Sequence, residues 1–236
     1  MSLESCQYAG AVEPVGPSGP ILAPPLFDLL TPYDSGRHAL EGYIAAKFAT
    51  TYGARIRHFL PCLLALRGAD QTRAALGLRR AGQESLFLEQ YLDEPIEQRL
   101  ASVTLQPVER HQVVEIGNLV ATSRGGSLYL FLMLAELLHA AGLTWAIFTA
   151  TPEVQQLLGK LAREPLALCE ADGRRLGDGL SEWGSYYETR PVVTAINVPA
   201  ERARLLRLPA IRSMLDAYAT EAQSLAQVLR RAPAWN

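Results

Sequence analysis

The sequence contains few cysteines and almost no lysine. Its three cysteines, at positions 6, 62 and 169, lie far apart and form no CxxC pair, so we expect neither a disulfide framework nor a metal site. Lys47 and Lys160 are its only lysines, and the formal net charge is −2. Such a chain has no overall basic field for nucleic acid or an anionic membrane, and we expect no nucleic-acid partner.

Several catalytic and targeting motifs are also missing. The chain lacks GxxxxGK[ST] and GxGxxG, the glycine patterns of nucleotide sites, and the G-x-S-x-G of many hydrolases. Its four histidines are scattered, and no Ser/His/Asp group can be assembled from them. The N-terminus shows neither the basic nor the apolar region of a signal peptide, so we expect a cytoplasmic protein.

Apolar residues make up 49% of the chain, enough for a full core. The segment from Leu128 to Phe148 approaches the length of a membrane span. Gly142 and Thr144 divide it into a helix and a short strand, which favours a buried α/β unit over a transmembrane segment.

The order of the elements predicts a mixed sheet with helices on both sides. Residues 1–36 carry six prolines and are predicted to form an extended or disordered arm. The predicted helices are 36–52, a short one opening at Pro95, 128–141, 153–162 and 209–231. The predicted strands are 54–67, 71–78, 113–120, 144–150, 166–170 and 192–198.

The turn after the 113–120 strand is a candidate anion site. Free backbone N–H groups at a helix N-terminus favour a pyrophosphate, and two glycines allow close approach of a ligand. The alternative is a glycine turn required for packing. The residues concerned are Thr122, Ser123, Arg124, Gly125, Gly126 and Ser127.

Glu115 lies within the otherwise apolar strand VVEIGNLV. A buried carboxylate must be paired or face a cavity, and burial raises its pKa, so Glu115 is a candidate general base. An ion pair with Arg110 or Arg124 is the structural alternative. Strand alternation predicts that Asn118 points to the opposite face of the sheet.

Two further segments are candidates for binding. Trp183, Tyr186 and Tyr187 lie among glycines in an irregular segment and are predicted to line a ligand pocket, or else to cover a small core. The C-terminal helix is amphipathic and rich in arginine. We expect it to dock on its own domain or on a second subunit, with a membrane surface as the alternative.

Four separated stretches carry a resemblance to a known family: RAGQESLFLEQYLDEPIE, VVEIGNLVA, TWAIFTAT and WGSYYETRPVV. In this order and spacing the chain resembles the thermostable hemolysin family, which is similar to the GNAT acyltransferases and the acyl-homoserine-lactone synthases. The resemblance implies an α/β (α+β) fold with a mixed, mostly antiparallel central sheet flanked by helices. The match spans about residues 37–200, so we predict three parts: the proline-rich arm at 1–36, a GNAT-like domain at 37–200 and an amphipathic C-terminal helix at 201–236 packed on that domain.

The resemblance further implies an N-acyltransferase that moves an acyl group from acyl-CoA or acyl carrier protein to a small amine or amino acid, with no tightly bound cofactor. Val120 and Ala121, with the turn at 122–127, would hold the donor. Glu115 would be the base, and Asn118, Trp183, Tyr186 and Tyr187 would contact substrate. A membrane-active lytic protein and a non-catalytic acyl-CoA-binding module remain the alternatives.

Overall fold

The computed structural model describes residues 26–68, 71–122, 124–161 and 165–232, with the backbone alone at 124–126, 157 and 159–161. A seven-stranded sheet has the order β1-β2-β3-β4-β5-β7-β6, in which β4 and β5 are parallel and the other neighbours antiparallel. The predicted mixed, mostly antiparallel sheet is therefore confirmed. The strands are β1 Leu26–Leu30, β2 Cys62–Arg67, β3 Thr72–Arg80, β4 Val113–Ala121, β5 Trp145–Ala150, β6 Leu166–Glu170 and β7 Val192–Asn197.

Helices cover both faces of the sheet. The α-helices are α1 Arg37–Tyr52, α2 Ile96–Thr104, α3 Arg124–Ala140, α4 Pro152–Leu161, α5 Val198–Leu205 and α6 Pro209–Arg231. Short 3₁₀ helices span Phe87–Tyr91, Arg110–Gln112, Gly173–Trp183 and Tyr186–Thr189.

The alternation of side chains along the strands divides the core between the two faces. Leu63 and Ala65 of β2 pack under α1, whereas Leu64 and Leu66 pack with α3 and α6 on the opposite face. Toward the other end of the sheet, the α1 face is covered by α2, the Phe87–Tyr91 helix and residues 173–189, which carry Trp183, Tyr186 and Tyr187 and are here called the aromatic segment. These three residues of the candidate site lie on this face.

A β-bulge interrupts β4 at Asn118. The register with β3 shifts between Ala75 and Gly77, and Asn118 has a positive φ of 52°. An extra residue in one strand reverses the alternation beyond it. Leu119 and Ala121 therefore pack with the α3 face, while Val120 packs under α1.

Two glycines beside the bulge accommodate one leucine. Gly77 and Gly117 lie opposite each other on β3 and β4, and a Cβ at either position would lie 2.8–3.0 Å from side-chain atoms of Leu60. The Leu60 N–H donates to Asn118 Oδ1 at 2.9 Å. The segment before β2 therefore crosses the sheet at the bulge instead of extending the strand, and the strand predicted over 54–67 begins only at Cys62.

Two other boundaries and one whole helix differ from the expectations. β1 lies inside the segment assigned to the N-terminal arm, most of which falls outside the described residues, and it pairs with β2. α3 begins at Arg124 instead of residue 128, so most of the predicted turn is helical. α5 was not predicted. The division of the chain into three parts stays a prediction.

α6 packs on α3 and β1. The Tyr218 ring meets Phe27 of β1 edge to face with centroids 5.4 Å apart, and Glu221 Oε1 accepts from the Phe27 N–H at 3.3 Å. The apolar stripe of this helix therefore faces the same chain, as expected for a docked helix. Across the described parts of the chain, none of the helices has both the length and the apolar character needed to cross a membrane.

Two glycines in the aromatic segment give a matched test of backbone strain. Gly177 and Gly184 have nearly the same backbone angles, φ 56°, ψ −130° and φ 53°, ψ −128°. A Cβ at Gly184 would lie 2.0 Å from the Tyr52 carbonyl oxygen, whereas one at Gly177 would meet nothing within 4 Å.

We predict that Gly177→Ala lowers the free energy of unfolding by about 1–3 kcal/mol through backbone strain. Gly184→Ala should lower it by a further 1–3 kcal/mol or so, because the methyl group also collides with the end of α1. Urea unfolding followed by circular dichroism measures both. Equal losses in the two variants would contradict the close contact.

Candidate active site

A cavity of about 610 Å³ passes through the sheet where β4 and β5 separate. These strands pair over Val113–Ile116 and Trp145–Phe148, and beyond that point β4 continues along β3 alone. On the α1 face the cavity is bordered by residues of α1, β3 and the aromatic segment, and on the other face by α3, α4 and α5. The bulge therefore lies beside an opening that connects the two faces.

Glu115 lies on this cavity, on the α1 face of the sheet, and is 3% exposed. Its Oε1 accepts from the Leu88 N–H at 2.9 Å and its Oε2 from the Phe87 N–H at 3.0 Å. The carboxylate thus binds the first backbone N–H groups of the 3₁₀ helix Phe87–Tyr91, which have no partner within that helix. Glu115 therefore caps this helix and borders the cavity at the same time.

Burial raises the pKa of Glu115 to about 7, because a charge is costly where water is excluded. The Arg79 guanidinium opposes this increase, with Nη1 3.8 Å from Glu115 Oε2, and so do the two backbone N–H groups. A carboxyl group with a pKa near 7 exchanges protons readily at neutral pH, which is the property required of a general base.

Arg79 was not among the predicted site residues. It lies directly opposite Glu115 in the β3–β4 register, and its Nε is 3.6 Å from Glu84 Oε2. That Nε is buried without a hydrogen-bond acceptor among the described residues. The ion pairs proposed for Glu115 from the sequence were with Arg110 or Arg124. Arg110 instead binds Glu89 and Glu97, and the Arg124 side chain lies outside the described atoms.

The prediction that Asn118 points away from Glu115 is wrong. Its Oδ1 lies 2.8 Å from the Cβ position of Gly77, on the α1 face, and both Asn118 and Glu115 border the cavity. The bulge is the physical reason, because it inserts one residue and reverses the alternation. Asn118 Oδ1 is already used by the Leu60 N–H at 2.9 Å.

The edge of β4 beyond the bulge exposes backbone groups to the opening. The Thr122 N–H donates to the Arg73 carbonyl on β3 at 2.8 Å. Since backbone groups alternate along a strand, the Ala121 N–H points to the other side, into the opening left by β5, and the Val120 N–H points toward β3. Val120 and Ala121 both border the cavity, and their role in donor binding stays a prediction.

The residues of the predicted turn, 122–127, lie in different environments. Thr122 is exposed, and its hydroxyl is hydrogen-bonded to that of Tyr43 on α1 at 2.8 Å. Ser123 lies outside the described residues. Arg124, Gly125 and Gly126 form the first turn of α3, and Ser127 borders the cavity. The helix N-terminus therefore lies next to the end of β4, although the turn is shorter than predicted.

The aromatic segment contributes two of its three predicted residues. Trp183 and Tyr186 border the cavity. Burial raises the pKa of Tyr186 to about 12, so it stays protonated at neutral pH. Tyr187, the third predicted residue, is not among the described residues that line the cavity. Its hydroxyl bonds to that of Tyr91, in the small core predicted as the alternative.

Residues missed by the sequence analysis complete the α1 side of the cavity: Lys47, Tyr52, His58, Leu60, Arg79 and Phe87. The proximity of Arg79 to Glu115 could have been predicted, because β3 carries arginines and pairs with β4 next to Glu115. The others come from segments far from β4 in sequence. Lys47 and Tyr52 lie on α1, His58 and Leu60 on the segment that crosses the sheet, and Phe87 on the 3₁₀ helix bound by Glu115. In the described parts of the chain, no group of three or more His, Cys, Asp or Glu side chains is suited to hold a metal ion.

The mixed sheet, the bulged β4 and its separation from β5 define a GNAT-like fold. Residues 30–201 match the family described as thermostable hemolysin, and the chain belongs to that family. No curated protein matches it.

Solved structures share the fold at low sequence identity. FeeM, an N-acyl amino acid synthase from uncultured soil microbes, is 12% identical, with a TM-score of 0.53 over 78% of this chain and 97% of FeeM. The acyl-homoserine-lactone synthase LasI is 10% identical, with a TM-score of 0.50 over 74% of this chain and 90% of LasI. BjaI, a CoA-dependent acyl-homoserine lactone synthase solved with SAM and isopentyl-CoA, is 9% identical, with a TM-score of 0.50 over 87% of this chain and 99% of BjaI.

The raised pKa of Glu115 gives a testable pH dependence of stability. Its folded-state pKa of about 7 exceeds the ordinary value of 4.5, so the folded state holds a proton that the unfolded state has lost. The contribution of this group to stability is complete below pH 4.5 or so and is lost as the pH rises through 7 or thereabouts.

We predict that Glu115→Gln is less stable than the wild type at pH 5, because an amide nitrogen cannot accept from a backbone N–H. The difference should narrow by about 1–3 kcal/mol between pH 5 and pH 8, since the glutamine does not ionise. Urea unfolding at a series of pH values measures it. A difference that stays constant across this range would show that the pKa of Glu115 is not raised.

Proposed function

We propose that the protein is an N-acyltransferase that moves an acyl group from a thioester donor, acyl-CoA or acyl carrier protein, to the nitrogen of a small amine or amino acid. The observation that carries the proposal is a buried carboxyl group with a pKa near 7 beside an opening between β4 and β5, both on one cavity. The fold is shared with synthases that form N-acyl products, which agrees with this chemistry.

The donor arm would lie in the opening along β4. A pantetheine arm carries amide groups that can pair with a free strand edge, and the Ala121 N–H points to that side. The N-terminus of α3, which begins at Arg124, lies next to the end of this edge and favours a phosphate group there. Thr122, Ser123, Arg124, Gly125, Gly126 and Ser127 would surround that phosphate.

The acceptor would enter from the α1 face. Glu115, Asn118, Trp183 and Tyr186 border this part of the cavity together with Arg79. Glu115 can still accept a proton, because each carboxylate oxygen has more than one lone-pair direction and each receives one backbone N–H. Tyr187 bonds to Tyr91 and would support the aromatic wall instead of contacting substrate.

The reaction proceeds without a metal. Glu115 accepts a proton from the acceptor nitrogen, directly or through water, and that nitrogen bonds to the thioester carbonyl carbon. The carbon–sulfur bond breaks, and the proton given up by nitrogen is returned to the sulfur as the thiol leaves. Positioning of the two reactants and backbone N–H groups near the developing oxyanion lower the barrier.

The lytic alternative receives no support from the apolar segment on which it depended. Leu128 to Phe148 forms most of α3 together with part of β5, and its α3 side chains buried in the main core include Leu130, Leu132, Met133, Leu137 and Leu138. α6 likewise packs its apolar stripe on α3 and β1. A binding module without turnover would share every feature of the site, and the kinetic test below separates it from an enzyme.

We predict that Glu115→Gln lowers kcat for amide formation by about 10²–10⁴-fold, the usual contribution of a general base, with donor affinity little changed. Thiol release and product mass measure turnover, and calorimetry measures donor binding. The matched control is Glu136→Gln with a short-chain donor, because Glu136 is equally buried, at 3% exposed, but is paired with Arg202 on the α3 face.

Full turnover in the Glu115→Gln enzyme would overturn the assignment of the base. Donor binding by the wild type without any amide product, across amines and amino acids, would instead indicate the binding module.

A further inference from the structure

The cavity has an apolar arm on the α3 face of the sheet. On α3 it is lined at spacings of three or four residues, by Leu128, Phe131, Leu132, Ala135 and Leu138. Ala146 and Phe148 of β5 and Leu158 of α4 form the other walls. A lining of apolar side chains disfavours charged groups and favours an alkyl chain. These residues together form what we call the apolar arm, and its length is measured below from Phe131 to Leu138.

The apolar arm ends against α5. Val198 and Leu205 line the cavity there and are 4% and 6% exposed. Glu201, which also borders this end, is paired with Arg204 Nε at 3.1 Å. An alkyl chain reaching this pair would remove water from two charges without replacing it, which is unfavourable. Among the described residues, none from α6 borders the cavity.

An ion pair fixes α5 on α3. Arg202 Nε donates to Glu136 Oε1 at 2.8 Å and Nη2 donates to Oε2 at 3.2 Å. Glu136 is 3% exposed, so this two-bond contact is shielded from water. The end of the arm therefore has a defined position relative to its walls.

We propose that α5 is the floor of an acyl-chain site, and that Leu205 and Ala135 determine the longest chain accepted. The proposal rests on the acyl-transfer function above and specifies its donor. From Phe131 to Leu138 the arm is about 10 Å long at a rise of 1.5 Å per residue. An extended chain advances by about 1.2 Å per bond, so the arm holds roughly eight or nine carbon–carbon bonds. The donor is thus a medium-chain thioester.

The test uses S-alkyl thioethers of CoA and of pantetheine, from butyl to hexadecyl, which bind as donors do but cannot transfer their chain. Calorimetry on the full chain should show affinity rising roughly fourfold for each added methylene up to octyl or decyl, and then falling. Leu205→Ala should extend this limit by about two carbons or more, because its removal opens space at the floor. Ala135→Leu should shorten it by a similar amount.

Leu215→Ala is the matched control. Leu215 lies on α6 in the same core cluster and is buried at 1% exposed, but it is not a lining residue of the cavity. It should lose stability as Leu205→Ala does while the limit in chain length stays that of the wild type. If Leu205→Ala does not fold, the half-buried position Ala135 carries the test alone.

The inference is overturned if affinity does not depend on chain length, if no thioether binds, or if both lining variants keep the wild-type limit. Amide formation from the corresponding acyl thioesters is measured in parallel. If the chain-length limit shifts in the variants as expected but no amide forms, the acyl-transfer function is refuted and the role of α5 as the floor stands. Amide product without any limit would refute the floor alone.

Discussion

The bulge at Asn118 is the constraint on which the site depends. It gives β4 one residue more than β3 needs, and the parallel pairing with β5 has its last pair at Ile116 and Phe148, just before it. Leu60 packs over Gly77 and Gly117 and gives its N–H to Asn118, which holds the bulge in place. The opening between the strands, the free edge of β4 and the connection between the two faces all follow from this one irregularity.

Glu115 both stabilises a helix and has the pKa that a general base requires. Its carboxylate oxygens bind the start of the Phe87–Tyr91 helix, which fixes the side chain and brings Phe87 to the cavity. The same burial raises its pKa to about 7. Arg79 on the neighbouring strand limits that increase. A carboxyl group held rigidly by two backbone N–H groups costs little further ordering when a substrate binds beside it, which is the advantage of a preorganised site.

Periodicity alone predicted the large elements well. β4, α3, β5 and α6 were found because their apolar residues recur at strand or helix spacing over long stretches. The bulge could not be predicted in this way, since it reverses the alternation on which the prediction of the Asn118 side chain was based. α5 was missed because its eight residues are too short for a clear period.

The site was predicted best where a single residue broke a pattern. Glu115 stood out as a charge in an apolar strand, and the structure places it on the cavity. Lys47, His58 and Tyr52 carry no such local signal, since they reach the cavity through α1 and through the chain crossing at Leu60. The number of apolar residues on α3 was visible in the sequence, but their use as the wall of a cavity depends on the position of α5.

The proposed function requires that this cavity binds an acyl thioester and a nitrogen nucleophile together and joins them as an amide. The most direct measurement is mass spectrometry of reactions between the purified full chain, a series of acyl-CoA and acyl-carrier donors, and a panel of amines and amino acids. We expect a new amide in which the acyl group replaces one hydrogen on the acceptor nitrogen, formed in the same amount as the released thiol. Thiol release without any amide, or no consumption of any donor in the series, would contradict it.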